Sequence, residues 1–132
     1  MQSAKFAKYV FLIAGIYGLV GLTPLYFLEG NVSAKLPPAI THPEFYYGSV
    51  GVGLAFQVLF IVISRDPVQL RPAMIAAVLE KLSFGIAAIV LFLAGRIAAP
   101  VLAAGILDLV FGTLFVLAYI RTPAGQAQAS AA

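Results

Sequence analysis

Residues 72–94 read PAMIAAVLEKLSFGIAAIVLFLA, and the fold of the whole chain turns on which solvent this stretch requires. As a helix rising 1.5 Å per residue it is long enough to cross ~30 Å of hydrocarbon. Apolar side chains fall on every side of its helical projection, so no continuous polar stripe is left to face water. Only Glu80 and Lys81 bring formal charge into it. A barrel strand would alternate polar and apolar residues over about 10 positions, and this stretch does not alternate. A helix, which satisfies its own backbone in lipid, is the structure that fits.

Three more stretches repeat the pattern: Tyr9–Leu28, Phe45–Ile63 and Ala98–Ile120. Of the 132 residues, 62% are hydrophobic and 10% charged, against about 45–50% and about 25% in soluble domains. A chain this short has no interior in which to hide four helices that are apolar all round. The expected fold is therefore all-α, an integral membrane four-helix bundle, antiparallel and up-down-up-down. Residues 1–121 are expected to form a single transmembrane domain, with 122–132, rich in Ala, Gln and Ser, as a disordered tail. The basic start, with Lys5 and Lys8 before an apolar run, imitates a signal peptide. The run is too long for a signal h-region and has no clear small-x-small site before Glu29, so it reads as an uncleaved first span.

Composition also narrows the chemistry. There is no cysteine, which removes disulfides, thiolate metal sites and thiol redox work. The formal charge of +3 comes from scattered residues, leaving no footprint for nucleic acid and only mild attraction to anionic lipid. The lipid bilayer is the expected partner, and no cofactor is implied.

The connections set the topology. Glu29–Glu44 is the longest, with Pro37-Pro38 and a Thr41/Glu44 pair at capping-box spacing ahead of the second span. Its prolines and tyrosines are expected to form a lid over the bundle. In Ser64–Arg71, Asp66 is a candidate cap and Pro67 a first helical position, which predicts a short interfacial turn. Gly95-Arg96 is a tight break that folds the last two spans into a hairpin. Lys5, Lys8, Arg65, Arg71 and Arg121 fall at one end of the spans, Lys35 and Arg96 at the other. The basic excess places both termini in the cytoplasm, with the Glu29–Glu44 loop outside; the expected membrane is a bacterial inner one.

Charge inside a span is costly and usually faces a bundle interior, so Glu80, Lys81 and Asp108 stand out. Helical rise puts Glu80 and Asp108 within about 6 Å of one depth, with Tyr17 and Gln57 near the same level. Faces expected to carry this layer are Ala14, Tyr17, Gly21 and Pro24 on the first helix, and Gly53, Gln57 and Phe60 on the second. Ala73, Ala76, Glu80, Ser83 and Ala87 on the third, and Gly105, Asp108, Gly112 and Phe115 on the fourth, complete it. Small residues at these spacings allow close helix approach. Three readings stay open. Lys81 could neutralise a carboxylate as structural glue. The five polar residues could form a pocket for a ligand or proton, since two carboxylates and one lysine leave either surplus negative charge or a carboxyl group that desolvation keeps protonated. Or Lys81 could snorkel to the surface and take no part.

His42, the only histidine, sits with Glu44, Tyr46 and Tyr47 where the outer mouth of such a pocket would lie. A lone histidine rarely makes a metal site, and no metal is expected. Capping and interfacial aromatic anchoring explain these four residues more cheaply than titration at a mouth does. Thr23, Ser83 and Thr113 are expected to bond their own helix backbone.

Four short spans, a first helix containing Phe11-Leu12-Ile13-Ala14-Gly15-Ile16-Tyr17-Gly18-Leu19, and a glycine-containing last helix together resemble the DoxX-like group of small bacterial membrane proteins. The resemblance implies a four-helix bundle and an association with quinone-linked oxidoreductase complexes. The basic residue that often follows the glycine in that group's first helix is replaced here by Tyr17-Gly18, so it implies no functional residue. The expected function is binding of a hydrophobic small molecule, lipid-like or quinone-like, or service as an accessory subunit of a larger membrane complex, with homo-oligomerisation open. The alternative is a proton-coupled transporter of small lipophilic or cationic solutes. An enzymatic role lacks a nucleophile or an acid–base pair within reach.

Overall fold

A computed structural model describes residues 2–126 and 130–131. It contains α1 (Gln2–Leu22), a 3-10 turn (Thr23–Phe27), α2 (Glu29–Lys35), α3 (Pro43–Arg65), α4 (Ala73–Leu93) and α5 (Ala99–Arg121). Four helical segments, Gln2–Phe27, Pro43–Arg65, Ala73–Leu93 and Ala99–Arg121, are long and apolar enough to cross a bilayer. The chain is a multi-pass membrane protein built as a four-helix bundle. Each expected span overlaps one of these segments, and three of them overrun it by one residue at one or both ends. The first helix begins seven residues earlier than its apolar run, at Gln2 instead of Tyr9, because Lys5 and Lys8 are good helix formers outside the hydrocarbon.

Contact register fixes the directions. Between α1 and α3, Gly15 lies beside Ile61, Gly18 beside Gln57 and Leu22 beside Gly53. Between α4 and α5, Lys81 meets Gly112, Gly85 meets Leu109 and Ala88 meets Gly105. In both pairs numbers rise on one helix as they fall on the other, so both pairs are antiparallel. Rings of Phe11 and Phe115 and of Tyr17 and Phe111 give the same sense for α1 against α5.

Glycine makes the two hairpins tight. A Cβ added at Gly15 would lie 2.9 Å from the Gln57 carbonyl oxygen, and one at Gly85 would lie 2.9 Å from the Gly105 carbonyl oxygen. Backbone cannot yield as a side chain does, so these positions set the interhelical distance. In lipid, where apolar burial drives little, such close packing is a main source of helix association.

The hairpins meet at the end of the bundle that carries the termini. There Phe11, Phe60 and Phe115 are fully buried together with Ala7, Ile63, Met74, Ala77 and Ala118. Phe11 stacks on Phe115 at 4.1 Å between centroids, and Phe60 meets Phe115 edge-on at 4.9 Å. One residue each from α1, α3 and α5 thus locks three helices. At the opposite, loop-bearing end, an added Cβ at Gly21 or Gly48 would meet nothing within 4 Å, and Ser49, Ala87 and Ala104 are exposed. The bundle is closed at one end and open at the other.

The connections follow ordinary backbone chemistry, with two corrections. Residues 29–35 of the longest connection are helical, and Ser33 Oγ accepts the Ile40 N–H at 2.9 Å, folding the following strand of chain back onto α2. The Thr41/Glu44 capping box does not form. The N-cap is His42 and Pro43 starts the helix, one residue later than that box requires, and Glu44 Oε1 pairs instead with His42 Nδ1 at 2.9 Å. Asp66 does cap the second connection: its Oδ1 accepts the Gln69 N–H at 3.1 Å, and its carbonyl accepts the Leu70 N–H at 3.0 Å. Gly95 adopts φ 68°, the left-handed C′ conformation that favours glycine. Arg96 N–H then reaches Leu91 O at 2.9 Å, closing the turn into α5.

Arg71 secures the terminal end by donating from Nε to Tyr119 O at 3.1 Å, with its guanidinium 3.9 Å from the centre of the Tyr119 ring. The expected disordered tail lies partly outside the described residues. Of the described ones, Thr122 is buried with its hydroxyl donating to Ala118 O at 2.7 Å, and Gly125 is buried beside Val68 and Gln69.

Candidate functional site

The face of α4 that packs against α5 decides what occupies the middle of the bundle. It consists of Met74, Ala77, Lys81, Gly85 and Ala88, spaced three or four apart as one helical stripe. The expected stripe through Ala73, Ala76, Glu80, Ser83 and Ala87 is displaced by one residue, about 100° of rotation. Ala76, Ser83 and Ala87 are exposed. Glycine is the reason: Gly85 and Gly105 permit contact that the alanines of the expected stripe do not. On α1 the packed stripe is likewise Ala7, Phe11, Ala14, Gly15 and Gly18, leaving Tyr17, Gly21 and Pro24 exposed. On α3 and α5 the expected residues Gln57, Phe60, Gly105, Gly112 and Phe115 are on the packed faces.

Lys81 therefore points into the bundle, and the snorkelling reading is corrected: the residue is 6% exposed. Its Nζ donates to Asp108 Oδ1 at 3.0 Å and lies 3.4 Å from Glu80 Oε2. Phe60, part of the aromatic lock, lies beneath it with its ring centre 5.3 Å from Nζ. The structure thus brings Glu80, Lys81 and Asp108 into one ionic cluster resting on the closed half of the bundle.

Gln57 is 1% exposed. Its Nε2 donates to Gly53 O at 2.9 Å, which identifies the other amide atom as the oxygen, and that Oε1 has no hydrogen-bond partner among the described residues. The side chain fits because Gly18 faces it: any Cβ at position 18 would run into the Gln57 amide. Glu80 Oε2 is the second buried oxygen without a hydrogen bond, although the Lys81 charge is near.

Above this layer opens a cavity of about 1160 Å³. Tyr17, Gln57, Glu80, Lys81 and Asp108 all line it, so the five residues picked out in the sequence share one space. Leu25, Phe84, Val101 and Leu107 contribute apolar wall, and Val32, Leu36 and Ile40 bring the long connection to its rim. Tyr17 stands apart from the ions, 53% exposed with its ring 5.7 Å from that of Phe111.

The four mouth residues divide. His42, Glu44 and Tyr46 line the cavity. Tyr47 instead donates to Glu29 Oε2 at 2.7 Å and stacks with Tyr26 at 6.0 Å. Tyr46 donates to Leu25 O at 2.6 Å, so the two tyrosines tie α3 to the 3-10 turn and α2. Thr23, Ser83 and Thr113 donate to the carbonyls of Leu19, Glu80 and Leu109. Sequence reasoning overlooked Gly18, Glu29 and Phe84. The Gly15-x-x-Gly18 spacing was the available signal for the first; nothing in the sequence marks the other two.

Chemically, the site carries a formal charge sum of −1 from two carboxylates and one ammonium, and two closed-off acceptor oxygens that meet no donor among the described residues. It offers apolar walls above them. Among the described residues no group of three or more His, Asp or Glu is placed to hold a metal ion. No protein-family model, curated protein or solved structure matches the chain.

Proposed function

We propose that this protein binds a hydrophobic small molecule in the cavity between its two hairpins, with the molecule's polar end on the Glu80–Lys81–Asp108 layer. The supporting observation is the cavity of about 1160 Å³ with apolar walls and a charged floor, since ligand sites are typically apolar clefts with a few convergent polar groups. A wholly structural cluster would be packed shut. In this reading the protein belongs in a bacterial inner membrane, its termini are cytoplasmic following its basic residues, and its cavity opens outward. A DoxX-like assignment suits such a bundle and makes quinone-like or lipid-like ligands, presented to a larger membrane complex or held in a homo-oligomer, the first to try.

A second reading, proton-coupled transport of lipophilic or cationic solutes, draws on the same asymmetry: a bundle locked by Phe11, Phe60 and Phe115 at one end and open at the other is one half of an alternating-access cycle.

The chain has no tryptophan, so Phe84→Trp on the cavity wall supplies a single reporter. In detergent micelles a brominated alkyl amphiphile should quench it saturably. Leu93→Trp, at a position 80% exposed on the outside of α4, should show only unsaturable quenching. Identical behaviour of the two reporters would refute ligand binding in the cavity.

A further inference from the structure

Away from the cavity, the outer seam of the α4–α5 hairpin carries an arginine whose partners leave most of its donors unused. Arg71 donates from Nε to Tyr119 O at 3.1 Å, and its guanidinium lies 3.9 Å from the centre of the Tyr119 ring. Two contacts to one residue fix the direction of the side chain. Among the described residues, no other hydrogen bond and no ion pair engages its remaining N–H groups. Hydrogen bonds from Met74 N–H to Arg71 O and from Ile75 N–H to Pro72 O carry helical winding back to Arg71, which places it about one turn before Ile75. From Ile75 onward, Val78 and Leu79 of α4 and Val116 and Tyr119 of α5 join it around a groove of about 170 Å³. Ile75 and Leu79 are 51% and 62% exposed, so the groove faces the lipid. None of its residues borders the cavity between the hairpins.

We propose that Arg71 and this groove hold one anionic phospholipid from the leaflet at the terminal end, its phosphate on the guanidinium and one acyl chain along the seam between α4 and α5. A guanidinium is a planar fork that can take a phosphate through two parallel N–H···O bonds. Its direction is set by Tyr119 before any lipid arrives, so little ordering is left for binding to impose. The turn between Arg71 and Ile75 leaves room for the glycerol unit that joins phosphate to acyl chain. Charge selects the headgroup. Lys5, Lys8, Arg65, Arg71 and Arg121 stand at this end against one acidic side chain, Asp66, whose Oδ1 already accepts the Gln69 N–H at 3.1 Å. The ammonium of a zwitterionic headgroup meets mainly positive charge there, whereas phosphatidylglycerol brings a net negative one. Scattered basic residues attract such lipids diffusely; a fixed arginine at the head of an apolar groove retains one molecule.

The test is native mass spectrometry of the protein, released from detergent micelles after titration with phosphatidylglycerol or with phosphatidylcholine of matched chains. The first phosphatidylglycerol is expected to bind about fivefold tighter than phosphatidylcholine, the scale of one basic residue near a membrane surface. Arg71→Gln should weaken its binding about tenfold, the scale of one charge-assisted hydrogen bond, and Arg71→Lys, which keeps the charge without the fork, should fall between the two. Val116→Trp, which fills the groove and leaves the Arg71 contacts in place, should weaken both lipids. Lys5→Gln combined with Lys8→Gln removes more charge from the same end and should matter less than Arg71→Gln. Glycerophosphoglycerol, the headgroup without chains, should not compete. Equal binding of the two lipids overturns the charge preference, and competition by the chainless headgroup overturns the groove. A loss in the double lysine variant as large as in Arg71→Gln means diffuse attraction and no site. Unchanged binding in Val116→Trp overturns the proposal even where Arg71→Gln does not fold. The cavity takes no part in these readings, so they stand or fall separately from the ligand proposed there.

Discussion

Removing the ammonium of Lys81 and removing the whole ionic cluster should have opposite consequences for stability, and the contrast separates a functional site from structural glue. In Lys81→Met the contacts to Asp108 at 3.0 Å and Glu80 at 3.4 Å are both lost, and two carboxyl groups stay in a largely buried layer without their cation. Breaking a buried pair from one side costs about 3 kcal/mol, roughly a hundredfold in the folding equilibrium. The triple variant Glu80→Leu, Lys81→Met, Asp108→Leu leaves no charge stranded, and apolar replacement of a complete buried ion cluster is typically neutral or stabilising. It should therefore unfold within about 1 kcal/mol of the parent. Reversible unfolding in mixed dodecyl sulfate and dodecyl maltoside micelles, followed by far-ultraviolet circular dichroism, measures both differences. If the triple variant is as unstable as Lys81→Met, the cluster holds the bundle together and no ligand is needed to account for it. If it is stable but its cavity reporter no longer quenches saturably, the chain retains these charges for what they bind.

Packing and site geometry make three further predictions. Gly85→Leu, whose side chain would be driven toward the Gly105 carbonyl oxygen, should cost about 1–3 kcal/mol through overpacking, whereas Gly21→Ala, with nothing within 4 Å, should be neutral or stabilising by a few tenths of a kcal/mol; the same micelle titration reads both. Phe115→Ala removes the ring that stacks on Phe11 at 4.1 Å and meets Phe60 at 4.9 Å, and should destabilise by about 3 kcal/mol while loosening the closed end, seen as faster hydrogen exchange at Ala118 and Ile63. Gly18→Ala, whose Cβ would run into the Gln57 amide, should cost about 1–3 kcal/mol through overpacking; combining it with Gln57→Ala, which frees the space, should restore most of that stability in the same titration.

The extent to which this protein is legible in its sequence depends on which quantity carries the information. Span number and the all-helical class are written in hydropathy, because lipid imposes a penalty on every unpaired backbone group and every charge. The shared depth of Glu80 and Asp108 follows from 1.5 Å per residue and needed no packing knowledge. Rotation about the helix axis is a different matter. In a soluble helix the polar face announces the phase, but on α4 the lipid-facing Leu79, Ile86 and Val90 are as apolar as the core-facing Met74 and Ala88. Choosing the phase from polarity therefore put Glu80 at the centre, when steric access through Gly85 and Gly105 puts Lys81 there.

The same distinction explains the loop. His42 and Glu44 were readable as a local pair, yet their cap register was misjudged by one residue because Pro43, lacking an N–H, is best placed at the first helical position. Tyr47 to Glu29 and Tyr46 to Leu25 join residues 18 and 21 apart, contacts that exist only once α1 and α3 have been brought together by Gly15 and Gly18. The open cavity has a related origin. Within each hairpin the helices stay close past the ionic layer, through Gly15 and Gly18 against α3 and through Gly85 and Gly105 between α4 and α5; the two hairpins are pinned to each other at the terminal end by Phe11, Phe60 and Phe115, whereas Gly21 and Gly48 at the loop end face no neighbour. Where the aromatic lock sits and where glycines go without a partner, more than how apolar each helix is, determines whether this bundle is packed through or left with room for a ligand.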